Sequence, residues 1–258
     1  MIYSNTSFRK KKIVLFFLII SSININTSVK GQTNFNTNNN YYNWFDNIIG
    51  VENTEINNGI VYKEKYKTID GNHKFYSTSK FTNGNITYHK QPFFNIEMKY
   101  DIYEDEIIIK LPNQSSFSII QLIKDKVDMF SINNHKFINI SKNQETFYNE
   151  EISGFYEIPF QSKKITLLKK HKKERKQRIG NFVYSQFKDN SSYYIFYNLK
   201  YYKINSKNKL LKLFPSLKKN IVSFYSSKKQ QLKSDPDLFM VNLTKHLNIL
   251  LKNPETKH

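Results

Sequence analysis

ITYHKQPFFNIEMKYDIYEDEIIIKL, Ile86 to Leu111, decides the fold class of this chain. Phe94, Ile96, Met98, Tyr100 and Ile102 alternate with Asn95, Glu97, Lys99 and Asp101, so one side of a pleated strand is apolar and the other wet. The polar cluster Tyr103-Glu104-Asp105-Glu106 follows, and Ile107-Ile108-Ile109 opens a second strand. This pattern predicts a hairpin. Its turn lacks glycine, so a four-residue loop built on a type I turn fits best. A lone hairpin is marginal in water and needs more sheet beside it.

The neighbouring stretches supply that sheet. Upstream, Asn57-Asn58-Gly59 signals a turn before IVYKEKY (60–66), which alternates as a strand. Asp70-Gly71 and Asn83-Gly84 punctuate further segments, among them HKFYSTSKF (73–81). Downstream, FSIIQLI (117–123), VDMFSI (127–132), KFINI (136–140), GFYEIPF (154–160), ITLL (165–168), NFVYSQF (181–187) and SYYIFYNLKYYKI (192–204) read as strands, with Asn133-Asn134 as a turn. Many short strands at close spacing predict an antiparallel sheet folded into a sandwich or open barrel. Along 192–204, Tyr193, Ile195, Tyr197 and Leu199 are expected to enter the core.

The texture changes after Ser206. NKLLKLF (208–214) ends at Pro215, and Ser216 is expected to cap a helix carrying Leu217, Ile221, Phe224 and Tyr225 on one face. Ser234 is expected to cap a last helix, with Pro236 and Asp237 in its first turn and Phe239, Leu243, Leu247 and Leu250 as its apolar stripe. Helices with one greasy side must lie on the sheet. The fold class is therefore α+β, mainly β: an antiparallel sheet with C-terminal helices packed on it.

The start of the chain reads as an address. Arg9, Lys10, Lys11 and Lys12 precede the apolar run IVLFFLII (13–20), and Val29-Lys30-Gly31 offers a cleavage site before Gln32. That run is far shorter than the ~20 residues of a membrane-spanning helix. The expected organisation is a signal peptide (1–31), a flexible asparagine-rich lead-in (32–43), an antiparallel β domain (44–205) and a helical segment (206–258). Trp44, Phe45, Ile48 and Ile49 suggest a short docking helix or turn at the start of the body.

The 258 residues carry a net charge of +19; cleavage would remove five of those positive charges and no acidic one, leaving +14. Lysine, asparagine, isoleucine, tyrosine and phenylalanine abound while alanine is absent, a bias expected of AT-rich codons. The absence of cysteine excludes disulfides, thiolate metal sites, cysteine nucleophiles and a lipoprotein anchor. Together with a secretory signal it points to a periplasmic or secreted protein of a bacterial envelope.

Several blocks share an order with a known group. FDNIIGVENTEINNG (45–59), FFNIEMKYDIYEDEIIIK (93–110), GFYEI with ITLLKKHKK (154–173), and YYIFYNLKYYKI with LLKLFPSLKKNI (193–221) resemble an uncharacterised family of secreted or periplasmic proteins of the Bacteroidota. The chain departs from the family where a glycine turn is expected before the central hairpin and has His89-Lys90-Gln91-Pro92 instead. The resemblance implies an envelope address and a β-rich body with a helical tail. It implies no activity and no functional residues.

The loudest charge feature is KKITLLKKHKKERKQR (163–178). Lys169, Lys170, Lys172, Lys173 and Arg175 are candidates for binding a polyanion such as lipopolysaccharide phosphate, an acidic glycan or nucleic acid. The competing reading is a strand running out into a solvated loop. Nucleic acid is disfavoured because no stacking aromatics interleave the run. His73, His89, His135, His171, His246 and His258 show no ligand spacing, so no metal is expected. Asp101, Glu104, Asp105 and Glu106 are expected at a solvated hairpin tip. No G-x-S-x-G elbow, phosphate loop, dinucleotide fingerprint or His-Glu-x-x-His motif is present, and no cofactor is expected. The leading expectation is a non-catalytic envelope protein that acts as a binding or interaction module, its partner an envelope protein or a surface polyanion. The alternatives are an envelope hydrolase or lipid- or sugar-handling protein with a pocket between sheet and helices, and polyanion binding through the basic segment 163–178.

Overall fold

The computed structural model describes residues 50, 53–69, 71–112, 117–140 and 152–252. The expected signal peptide (1–31) and lead-in (32–43), and the docking segment expected at Trp44–Ile49, lie outside the described residues.

Strands β1 (Ile60–Val61) and β2 (Thr82–Tyr88) precede the central hairpin, which is β3 (Gln91–Asp101) and β4 (Glu106–Pro112). Tyr100 faces Ile107 and Met98 faces Ile109 across it. The connecting loop has four residues, 102–105, and Asp105 closes it in the left-handed region at φ 58°. The alternation slips at one point. Asn95 takes φ 56° and the register with β2 shifts there, so Phe93 rather than Phe94 is the fully buried ring. A bulge that inserts one residue explains the exchange of faces.

β5 (Phe117–Gln121) lines the outer side of β4. β6 (Val127–Ile132), β7 (His135–Ile140), β8 (Gly154–Gln161) and β9 (Ile165–Lys170) follow beyond β2. β10 (Lys173–Ile179) and β11 (Val183–Asp189) leave the sheet as a separate ribbon, and β12 (Ser192–Tyr197) and β13 (Lys200–Ile204) return to it. The large sheet has eleven strands in the order β1-β5-β4-β3-β2-β6-β7-β8-β9-β12-β13, every neighbouring pair antiparallel.

This sheet curls tightly in its first half. Four strand spacings separate β3 from β8, roughly 19 Å if the sheet were flat. The rings of Tyr100 and Phe155 are nevertheless 5.9 Å apart, with Phe130 stacked on Phe137 between them at 4.5 Å. The curl wraps one apolar cluster that also takes in Ile86, Tyr88, Met98, Ile109 and Leu122.

The second half of the sheet carries the helices α1 (Lys207–Leu213), α2 (Lys218–Ser227), α3 (Lys229–Ser234) and α4 (Pro236–Lys252). Ile165, Leu167, Ile195 and Ile204 of the sheet meet Leu210, Phe214, Ile221, Phe239, Leu243 and Leu247 of the helical segment. Side chains thus occupy the layer between sheet and helices. Among the described residues, no helix is long and apolar enough to cross a membrane.

Several local expectations fail for definable reasons. Of 60–66 only Ile60 and Val61 form a strand, and 73–81 contributes one isolated bridge, Phe75 to Asp101. The run 192–204 is two strands, because Asn198 and Leu199 adopt φ 48° and 60° and form a two-residue hairpin turn. Leu199 is consequently exposed at a turn rather than buried. Ser216 sits inside a 3-10 turn, Pro215–Leu217, that runs directly into α2. Ser234 ends α3, and the neighbouring Asp235 caps α4 by accepting from the Leu238 N–H at 2.9 Å.

Candidate anionic-surface interface

The five cations singled out in the basic run have different fates. Lys169 reaches Asp237 in the first turn of α4, with Nζ 2.7 Å from both carboxylate oxygens, and pins sheet to helix. Lys170 donates to Asp105 at 2.7 Å and to the Phe155 carbonyl at 3.1 Å. Lys173 donates to the carbonyls of His73 and Phe75, at 2.6 and 3.1 Å. Lys172 and Arg175 stay exposed, the latter with its guanidinium 4.8 Å over the Tyr66 ring. The expected polyanion cluster is therefore divided, three lysines serving the interior and two remaining on the surface.

Beyond Lys172 the run is paired structure rather than a loop. β10 and β11 align Arg175 with Phe187, Gln177 with Ser185 and Ile179 with Val183. One face of this ribbon seats on the body. Phe187 is buried edge-on against Tyr66 and Tyr103, and the Ser185 N–H donates to the Lys67 carbonyl at 2.8 Å. Alternation sends Lys176, Arg178 and Lys188 to the other face. With Asn72, Gln186 and Phe187 they line a shallow recess of about 390 Å³ that includes no carboxylate. Glu174, on the same face, accepts from the Asn190 amide at 2.5 Å.

The far end of the ribbon is apolar. Ile179, Phe182 and Val183 are 83%, 52% and 52% exposed. Such a cluster, on a projecting turn behind a basic shaft, is unlike the scattered single apolar residues of an ordinary surface. Lys176 and Arg178 belong to the basic run 163–178 but were not among its five candidate cations, and Lys188 lies beyond it. Period-2 alternation through Glu174–Arg178 was the available signal.

Acidic residues near the central turn are not at a solvated tip. Asp101 is buried and pairs with Lys74 at 2.7 Å, and the Lys74 ammonium also lies 5.2–5.4 Å from the ring centres of Tyr62, Tyr66 and Phe75. Asp105 accepts from Lys124 at 2.5 Å, Lys170 at 2.7 Å and the Tyr100 hydroxyl at 2.6 Å. Burial alone would push the Asp105 carboxyl up, but Lys170 and Lys124 outweigh it and hold it below the usual carboxylate range.

A further polar cluster was invisible in sequence. Glu157 binds His135 Nδ1 at 2.6 Å and His171 Nε2 at 2.5 Å, with the Tyr76 ring edge-on to both imidazoles. Burial opposes ionisation of Glu157, and the two histidines overcome it, so its carboxyl lies below the usual range. In register, Glu157 faces Lys169 and Lys169 faces Tyr193, a polar row between the two apolar clusters. No group of three or more metal-ligating side chains suited to a metal ion occurs among the described residues. No family model, curated protein or solved structure matches this chain.

Proposed function

We propose that this protein is an exported, non-catalytic binding module of a bacterial envelope, and that it docks on anionic membrane surfaces through the β10–β11 ribbon. The observation that carries the reading is the pairing, on one projecting hairpin, of outward Lys176, Arg178 and Lys188 with the exposed Ile179, Phe182 and Val183. Cations near an anionic leaflet contribute about 1 kcal/mol each, and an apolar tip buried at the headgroup boundary adds to them. Soluble polyanions would use the shaft and leave the tip without a role. The address rests on reading Arg9–Lys12 and the apolar run 13–20 as an export signal.

Vesicle flotation tests the proposal. The protein is expected to float with phosphatidylcholine vesicles that contain phosphatidylglycerol and to stay behind with phosphatidylcholine alone. Added salt should weaken the binding steeply. Lys176→Glu combined with Lys188→Glu should weaken it more than roughly tenfold. Phe182→Ser should weaken vesicle binding while leaving any binding to soluble polyphosphate unchanged. Equal flotation with both vesicle types, or binding indifferent to these substitutions, overturns the reading.

A further inference from the structure

The second half of the sheet has a second face, opposite the one packed on the helices, whose edge the end of α4 reaches at Leu251. Strand alternation puts Ile165, Leu167 and Ile195 under the helices and turns Leu168, Tyr194, Phe196 and Tyr201 the other way. Ile138 and Ile158 join them from β7 and β8. At the end of this face, between the β8–β9 and β12–β13 turns, lies a half-open groove of about 570 Å³. Its floor is Ile138, Ile158, Leu168, Phe196 and Tyr201, with Phe196 and Tyr201 packed ring on ring at 4.7 Å. Its rim carries Lys163 and Lys164, and no carboxylate lines it.

We propose that this groove binds a long-chain fatty acid. The volume lies within the range of small-molecule sites, roughly 300–1,000 Å³. Ile138, Ile158 and Phe196 offer a hydrocarbon chain an apolar seat, and Gln161, Ser162, Thr166 and Asn198 line the rest of the groove. The rim selects the head. Lys163 is exposed beside Lys164, whose Nζ is held at the groove by a 2.5 Å hydrogen bond to the Leu251 carbonyl, so cations stand where the chain would emerge. A carboxylate there gains two charge partners, whereas a neutral amphiphile gains none. The groove shares no residue with the ribbon and is independent of membrane docking.

Titration of the full chain with cis-parinaric acid, a fluorescent fatty acid, reads the site directly. Saturable one-to-one binding, displaced by oleate but not by methyl oleate, is the expected result. Lys163→Glu with Lys164→Glu should weaken it roughly five- to tenfold. Ile158→Trp should abolish it by filling the floor, and circular dichroism with an unchanged melting temperature confirms that this variant folds. Lys176→Glu with Lys188→Glu should leave fatty-acid binding untouched, which separates this site from the ribbon. Absence of saturable binding, equal displacement by the methyl ester, or binding unchanged in both groove variants overturns the proposal. So does a concentration-dependent dimer lost in Ile158→Trp, because the face would then belong to a second copy of the chain.

Discussion

Replacing Asp105 by Asn should destabilise the body strongly. The carboxylate neutralises two lysines and accepts from the Tyr100 hydroxyl. The side chains of Asp105 and Lys170 are 15% and 16% exposed, but that of Lys124 is 36% exposed and is screened by water. Lys124 therefore adds less than about 1 kcal/mol, and the main loss comes from Lys170, left charged and buried. Burial draws the Lys170 ammonium down against the pull of Asp105, so the pair's strength is best judged from the carboxylate, which has two cations to its one charge. Removing one partner of a buried pair costs about 3–5 kcal/mol. Against a total stability of about 5–15 kcal/mol, the low end of that range is already a large fraction.

Urea denaturation measures this loss. With a slope of about 2 kcal/mol/M, a loss of about 3 kcal/mol lowers the midpoint by about 1.5 M. The pH dependence supplies the sign. The folded carboxyl titrates below its unfolded value, so its contribution is fully present above the unfolded pKa and is lost as pH falls through the folded one. The gap between wild type and Asp105→Asn should be widest near neutrality and close in acid below the usual carboxylate range. A variant within about 0.3 M of wild type at neutral pH, or a gap that persists unchanged in strong acid, refutes the reasoning.

Three further outcomes follow from other parts of the fold. Gly154→Ala should destabilise by more than about 2 kcal/mol in the same assay, because Gly154 sits at φ 86° and an added Cβ would lie 2.0 Å from the Asp105 carboxylate. Replacing His89-Lys90 by Asn-Gly should raise the melting temperature by several degrees, since both residues hold left-handed φ values, 49° and 67°, in a two-residue turn; the loss of the His89–Glu55 contact limits the gain to about 1 kcal/mol. Phe239→Ala should cost about 3–5 kcal/mol and loosen the helices first, seen as faster amide exchange in α2 and α4, because Phe239 is fully buried against Phe224 and Tyr225.

The architecture was largely legible because its dominant signals are local. Alternation in β3 beyond its bulge, the Asn133-Asn134 turn and Phe239, Leu243 and Leu247 of the last helix's stripe each act within a few residues and appear where expected, whereas Leu250 of that stripe is only half-buried. The errors share a different cause. Asp105 pairs with a lysine 65 positions away and Glu157 with histidines 22 and 14 away, so nothing near them distinguishes a solvated acid from a buried one. Lysine adds to the ambiguity: its long stem lets Lys170 and Lys173 bury their chains and place their charge on an internal acceptor, while Lys169 buries its stem and reaches an exposed carboxylate, Asp237. The break at Asn198-Leu199 was hidden because a glycine-free turn looks like continuous strand. The groove escaped because its walls come from five strands whose register no local pattern specifies.

Lys170 and Ser192 face each other across β9 and β12. The intervening excursion therefore leaves and re-enters the sheet at one point, where a tight reverse turn would join the same two strands. The base of the excursion is nevertheless tied to the body through His171 on Glu157, Lys173 on the carbonyls of His73 and Phe75, and Phe187 against Tyr66 and Tyr103. Only its outer turn, around Ile179 to Val183, is open to shortening or recharging without disturbing the scaffold.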